Sequence, residues 1–184
     1  METLEYQDTN RHIVERCKAD DQKAQYEFYK LYAKAMFNVS MRITNDYAEA
    51  EDILQEAFLN AFQNIHTFRG EATFGSWLKT IVVNKAVGQV KKRRLSFITI
   101  DDKEYADKET TDEPDLQLQV AVVRKAIQQL PDGYRVVLSL YLLEGYDHGE
   151  IASILGITEA TSKSQYSRAR KRLLAIIQNE SFIN

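Results

Sequence analysis

The chain has 184 residues, 44% of them apolar and 28% charged, with a formal net charge of −3. That is ordinary globular composition, with room for one domain or two small ones. Its single cysteine, Cys17, excludes an internal disulfide. Seven glycines and two prolines punctuate the chain, and apolar residues recur at helical spacing along most of it, which predicts an all-α fold.

A first helix is expected over about Asn10 to Cys17. A second follows through "DDQKAQYEFYKLYAKAMFNVSMRI", capped by Asp20 or Asp21, with Phe28, Leu31, Tyr32, Ala35, Met36 and Val39 as its apolar stripe. "AEDILQEAFLNAFQNI", Ala50 to Ile65, is a third, with Leu54, Ala57, Phe58, Ala61, Phe62 and Ile65 turned to the core. Its other side carries Asp52, Gln55, Glu56 and Gln63 with the bulky Leu59 among them. Periodicity alone leaves open whether that side is a solvated back or a partner surface. A turn at "HTFRGEAT" leads to a fourth helix from about Thr73, with Phe74, Trp77, Leu78, Ile81 and Val82 inward, ending in "KKRR".

"SFITIDDKEYADKETTDEPD" has no helical period and reads as an acidic, flexible linker. Beyond it, "LQLQVAVVRKAIQQL" forms a helix stopped before Pro131, and Tyr134 to Leu143 another, ended by Gly145. Asp147 with Glu150 three residues on has the form of a capping box for the short helix "HGEIASIL". Gly156 and Ile157 make a tight turn, and Thr158 caps a last helix from Glu159 to about Ile177. The expected organisation is an N-terminal extension 1–19, a helical domain 20–95, the linker 96–115 and a second helical domain 116–184.

The small net charge hides a strong sorting. From Ala72 to Ile100 there is no acid, but there are Lys79, Lys85, Lys91, Lys92, Arg93 and Arg94. From Ala160 to Asn179 there is again none, with Lys163, Arg168, Arg170, Lys171 and Arg172. Eight acids crowd Asp101 to Asp115 between them. Two separate basic patches imply two polyanion contacts. In the second, a short helix, a Gly-containing turn and a longer basic helix make a helix-turn-helix pattern. Ile151, Ala152 and Leu155 face inward, Ile157 plugs the corner, and Ser162, Tyr166, Ala169, Leu173 and Ile176 share the inner face. Thr161, Lys163, Ser164, Gln165, Arg168, Lys171 and Arg172 form the outer face, with side chains that reach base edges and phosphates. In the first patch, Phe68, Phe74 and Trp77 precede Asn84, Lys85, Gln89 and the basic run, a mixture suited to unpaired bases and phosphates. The competing assignment puts Phe74 and Trp77 in the core.

His12, His66 and His148 are scattered, so neither metal nor cofactor is expected. With no Gly-rich phosphate loop or nucleophile motif, the chain reads as non-enzymatic. The start "METLEYQDTN" lacks the layout of a signal peptide, and no apolar run is long enough to span a membrane, so a cytoplasmic location is expected.

These residues resemble a known family. "AEDILQEAFLNAF", then thirteen residues, then "SWLKTI" is similar in identity and spacing to the signature of the extracytoplasmic-function (ECF) sigma factors of bacterial RNA polymerase. "LPDGYRVVLSLYLLEGYDHGEIASILGITEATSKSQYSRARKRL" resembles their region 4. The resemblance implies a region 2 bundle over 20–95 and a region 4 helix-turn-helix over 116–184, binding core polymerase and directing initiation at promoters. It implies that Asp52, Gln55, Glu56 and Leu59 dock on the clamp coiled coil of the largest subunit, with the flap region as a further polymerase contact. It places Phe68, Arg69, Trp77, Asn84, Lys85, Lys92 and Arg93 at the −10 element, with the turn from Ile65 to Thr73 and the start of the next helix where the family captures bases of the non-template strand, and the outer face from Thr161 to Arg172 at the −35 element. An anti-sigma factor is a further partner the resemblance suggests. The chain departs from the family pattern at Gly88, inside the fourth helix, and at Ser162, Gln165 and Tyr166. Two alternatives fit less well: the asymmetric two-patch layout and the helix at Ala50 to Ile65 speak against a free-standing helix-turn-helix regulator, and a protein-binding helical adaptor leaves the acid-free helices unexplained.

Overall fold

The structure, a computed structural model, describes residues 10–96 and 116–181. The described residues form eight α-helices and one 3-10 turn. They are α1 (Arg11–Lys18), α2 (Gln22–Thr44), α3 (Tyr47–Gln63), the turn Ile65–Thr67, α4 (Phe74–Ser96), α5 (Leu116–Gln128), α6 (Asp132–Leu142), α7 (His148–Leu155) and α8 (Glu159–Ser181). The all-α expectation holds. None of these helices is long and apolar enough to cross a membrane. Apart from Ser96, the expected linker lies outside the described residues. The chain divides into two compact units, Met1–Gln89 and Val90–Asn184.

In the first unit, α1 packs on α2 and on the turn Ile65–Thr67. It buries Ile13, Val14 and Cys17. Asp20 (φ 56) and Asn45 (φ 55) adopt left-handed conformations that end α1 and α2. Asp21 caps α2, its carboxylate accepting from the backbone N–H groups of Lys23 and Ala24 at 2.9 and 3.2 Å. Arg16 reaches the same carboxylate at 2.7 Å and Glu27 at 3.2 Å. The Arg16 guanidinium holds the Asp21 carboxyl below the usual carboxylate range. Burial pushes the Cys17 thiol up to about 11.

The α2 stripe is only partly as expected. Phe28, Met36 and Val39 are buried, but Leu31 is 54% exposed and Ala35 is exposed. The reason is that α2 serves two neighbours, α1 and α3. Its buried residues therefore wind around the helix rather than keep to one line. The third helix starts earlier than the sequence suggested. Asp46 caps it by accepting from Glu49 N–H at 2.9 Å, so Tyr47 to Glu49 form its first turn. Its expected core residues are buried except Phe62, which is half-buried. Phe74, Leu78 and Val82 of α4 complete this core, Phe74 stacking on Phe28 at 4.2 Å. The helix runs unbroken through Gly88.

In the second unit, Ala126, Leu130, Leu138, Ala169 and Leu173 make the core, flanked by Ile127, Tyr134, Ile176 and Ile177. Pro131 separates α5 from α6, which begins two residues before the expected start. Arg135 is buried there, donating to the Leu130 carbonyl at 2.9 Å and pairing with Asp132. The capping box is present in both directions: Asp147 accepts from Glu150 N–H and donates its own N–H to the Glu150 carboxylate, both at 2.8 Å. Gly156 closes α7 at φ 67 and Thr158 accepts from Thr161 N–H at 3.1 Å, so the helix-turn-helix forms as expected.

Candidate functional site

Three surfaces carry the side chains singled out by the sequence. The first is the outer side of α3. Asp52, Gln55, Glu56 and Leu59 are all exposed, Leu59 at 62%. Their spacing of three and four residues puts them on one side of the helix. An exposed leucine among polar groups is a site that a protein partner can desolvate. Glu56 is not isolated: Lys85 of α4 donates to it at 3.1 Å. Gln89 likewise donates to Glu49 at 3.3 Å.

The second surface is the loop between the turn Ile65–Thr67 and α4, with the α4 side beyond it. Thr73 opens the helix by accepting from Ser76 N–H at 3.1 Å. Phe68 is buried, edge-on to Phe74 at 5.6 Å and tilted against Trp77 at 5.5 Å. Its ring is thus engaged in the core. Trp77 is half-buried, a position between the two assignments the sequence allowed. Arg69 is 82% exposed, 3.9 Å from Glu71. Along α4, Trp77, Asn84, Lys85, Gly88 and Lys92 fall on one side. Asn84 and Lys92 are exposed, and Lys85 and Arg93 are half-buried. A β-carbon built at Gly88 meets nothing within 4 Å, so no packing demands glycine there.

The third surface is the outer face of α8. Lys163, Ser164, Arg168 and Lys171 are exposed, while Thr161, Gln165 and Arg172 are half-buried. Not all are equally available. The Lys163 ammonium lies 2.6 Å from Glu159, whose hydrogen bond raises its pKa. Ser164 donates to the Ala160 carbonyl at 3.0 Å.

Behind this face is an arrangement that sequence reasoning missed. Ser162 is fully buried and shares a 3.0 Å hydrogen bond with His148 Nδ1, joining α8 to α7. The His148 ring stacks on Tyr141 at 4.5 Å, and Tyr166 packs against both. Ser162 and Tyr166 are therefore joined through His148. The signal at Ser162 and Tyr166 was visible; their partners, fourteen and more residues upstream, were not.

Sequence models of Sigma-70 region 2 and Sigma-70 region 4 match residues 28–95 and 121–173. The chain is 31% identical to the ECF RNA polymerase sigma factor SigM of Bacillus subtilis over 153 residues, covering 82% of this chain and 93% of that protein. The chain belongs to the ECF sigma factor family. RNA polymerase sigma-H factor of Pseudomonas aeruginosa is similar too, 29% identical over 184 residues that cover 94% of this chain and 95% of that one. Among solved structures, CnrH in complex with the cytosolic domain of CnrY aligns at TM-score 0.57 and 21% identity, covering 94% of this chain and 99% of that one. The sigma factor RpoE of Bartonella quintana, solved with the anti-sigma factor NepR, aligns at 0.55 and 24%, covering 83% and 96%. Both share the fold. This sigma factor binds core RNA polymerase and directs promoter-specific initiation, region 2 serving the −10 element and region 4 the −35 element. The loop and α4 surface lie within the region 2 match, and α7 and the outer face of α8 within the region 4 match.

Proposed function

We propose that the three surfaces divide the work of initiation among named side chains. Asp52, Gln55, Glu56 and Leu59 dock core polymerase, through the clamp coiled coil of its largest subunit. Arg69, Trp77, Asn84, Lys85, Lys92 and Arg93 meet the −10 element, with Phe68 supporting Trp77 from below. Thr161, Lys163, Ser164, Gln165, Arg168, Lys171 and Arg172 face the −35 duplex. Phosphate contacts by the lysines and arginines set position, and the polar side chains select sequence. The observation that carries this reading is the pairing of two acid-free stretches with exposed helix faces, one in each region.

In this reading the chain is a non-catalytic specificity subunit of the cytoplasm, where core polymerase works. The α3 side, with Leu59 exposed among polar groups, is equally open to an anti-sigma protein that would compete with polymerase. Run-off transcription on genomic templates, with bacterial core polymerase with and without this chain, is the direct test. A promoter-specific product that depends on the chain is expected; its absence would remove the reading.

A further inference from the structure

We infer that Tyr32 is a positioning residue for the base-capturing loop, held in place by the N-terminal extension through Asn10. The inference rests on the reading of the Ile65–Thr73 segment as the place where −10 bases are captured. It concerns α1, which precedes the region 2 match beginning at residue 28.

Both ends of that segment are pinned from below. At the first end, α1 packs directly on the turn Ile65–Thr67. Ile13, Val14, Cys17 and Ile65 are all buried. At the second end stands Tyr32. Its ring lies so close to the start of α4 that a β-carbon on Gly75 would come within 2.8 Å of Tyr32 Cε1. A β-carbon there would force the ring to move, so the backbone of the first turn of α4 rests on the tyrosine ring. The same ring lies 5.8 Å from Phe74, which in turn holds Phe68 at 5.6 Å and Trp77 at 5.5 Å.

The outer end of Tyr32 is fixed as well. The Asn10 carboxamide donates to Tyr32 Oη at 3.1 Å. Asn10 itself is tied to α1, since its carbonyl accepts from Ile13 and Val14 N–H at 2.9 and 3.1 Å. Between the buried Phe68 and Phe74 only Arg69 to Thr73 remain, with Gly70 at φ 76 turning the chain. Arg69 to Ala72 are exposed. A tip this short has little freedom once both anchors are set. A shift of the Tyr32 wedge moves Phe74, and with it Phe68, Trp77 and the tip.

The test uses the full chain assembled with core polymerase. The probe is the single-stranded non-template −10 segment of a promoter found by run-off transcription, made as a series with one abasic position each. The readout is the affinity ratio of intact to abasic strand. Wild type is expected to lose about tenfold at the captured base, the size of one stacked base. Asn10→Ala and Tyr32→Phe, which remove the same hydrogen bond, should cut that ratio to about threefold, and Tyr32→Ala to near unity. A merely structural role would lower both affinities alike and leave the ratio unchanged. A wild-type ratio retained in Asn10→Ala and Tyr32→Phe overturns the inference while base capture stands. A wild type with no abasic penalty at any position overturns base capture itself, and the inference with it.

Discussion

The Lys85 ammonium lies 3.1 Å from the Glu56 carboxylate, and the two side chains belong to faces proposed for different partners. The side of α3 proposed for polymerase and the side of α4 proposed for DNA therefore share an edge. Glu56 is largely exposed and Lys85 partly so, and an ion pair in water contributes up to about 1 kcal/mol. The pair is too weak to hold the fold, yet it occupies a lysine proposed to contact DNA. Replacing Gln55 and Glu56 together by alanine should weaken binding to core polymerase while thermal unfolding stays nearly unchanged. Pull-down at graded polymerase concentration measures the first and calorimetry the second; unchanged affinity would remove this side of α3 from the interface.

On α8, Arg168 is the sharpest probe. Lys163 is engaged by Glu159 at 2.6 Å, so its loss would mix two effects. Arg168 is exposed. Arg168→Ala should weaken −35 duplex binding, and if the contact is to phosphate it should reduce the log-log salt slope by about 0.9. Titrations over a range of salt with the full chain in holoenzyme give both quantities. An unaltered affinity would mean that α8 presents a different side to the duplex.

Gly88 stands on the side of α4 proposed for DNA, with open space around it. Alanine there should stabilise the helix by about 1 kcal/mol, since glycine is the poorer helix former. The same methyl group would stand between Asn84, Lys85 and Lys92, so −10 affinity should fall as stability rises. Denaturant unfolding and −10 strand binding, measured on one preparation, decide it. A gain in stability with no loss of binding would place the DNA elsewhere on α4.

Acid should loosen the α1–α2 junction. Asp21 is held as a carboxylate chiefly by its hydrogen bond from Arg16, below its ordinary value of 3.8. A depressed carboxyl contributes stability that is fully present above the unfolded pKa and lost as pH falls through the folded one. Wild type should therefore lose more stability between pH 6 and about pH 3 than Asp21→Asn does. Urea midpoints across that range report the difference, and parallel curves would show that the Arg16 contact contributes nothing to folding.

Local chemistry was the legible part of this chain. Asp147, Glu150, Gly156 and Thr158 announce their caps and turn within a few residues of themselves, and the structure forms each one. The α3 stripe was legible because α3 keeps one side to the core. Where a residue answers to something distant, the sequence is silent. Leu31 looks like core by spacing but is exposed, because α2 divides its faces between α1 and α3. Phe68 looks like a stacking platform but is buried under Trp77 and against Phe74. The start of α3 was missed for the opposite reason: Asp46 is a local cap, but the apolar pattern that would draw attention to it begins at Ala50.

The hydrogen bond between His148 and Ser162 gives the helix-turn-helix something aliphatic packing lacks. Two greasy surfaces can slide or rotate by several degrees and lose little. A polar bond in a buried setting has direction and breaks when its donor and acceptor turn apart, leaving a desolvated group behind. In this protein one such bond ties the first residue of α7 to the first turn of α8, as a dowel keys a joint. In the proposed reading, Ser162 orients the −35-facing side of α8 from the opposite, buried side.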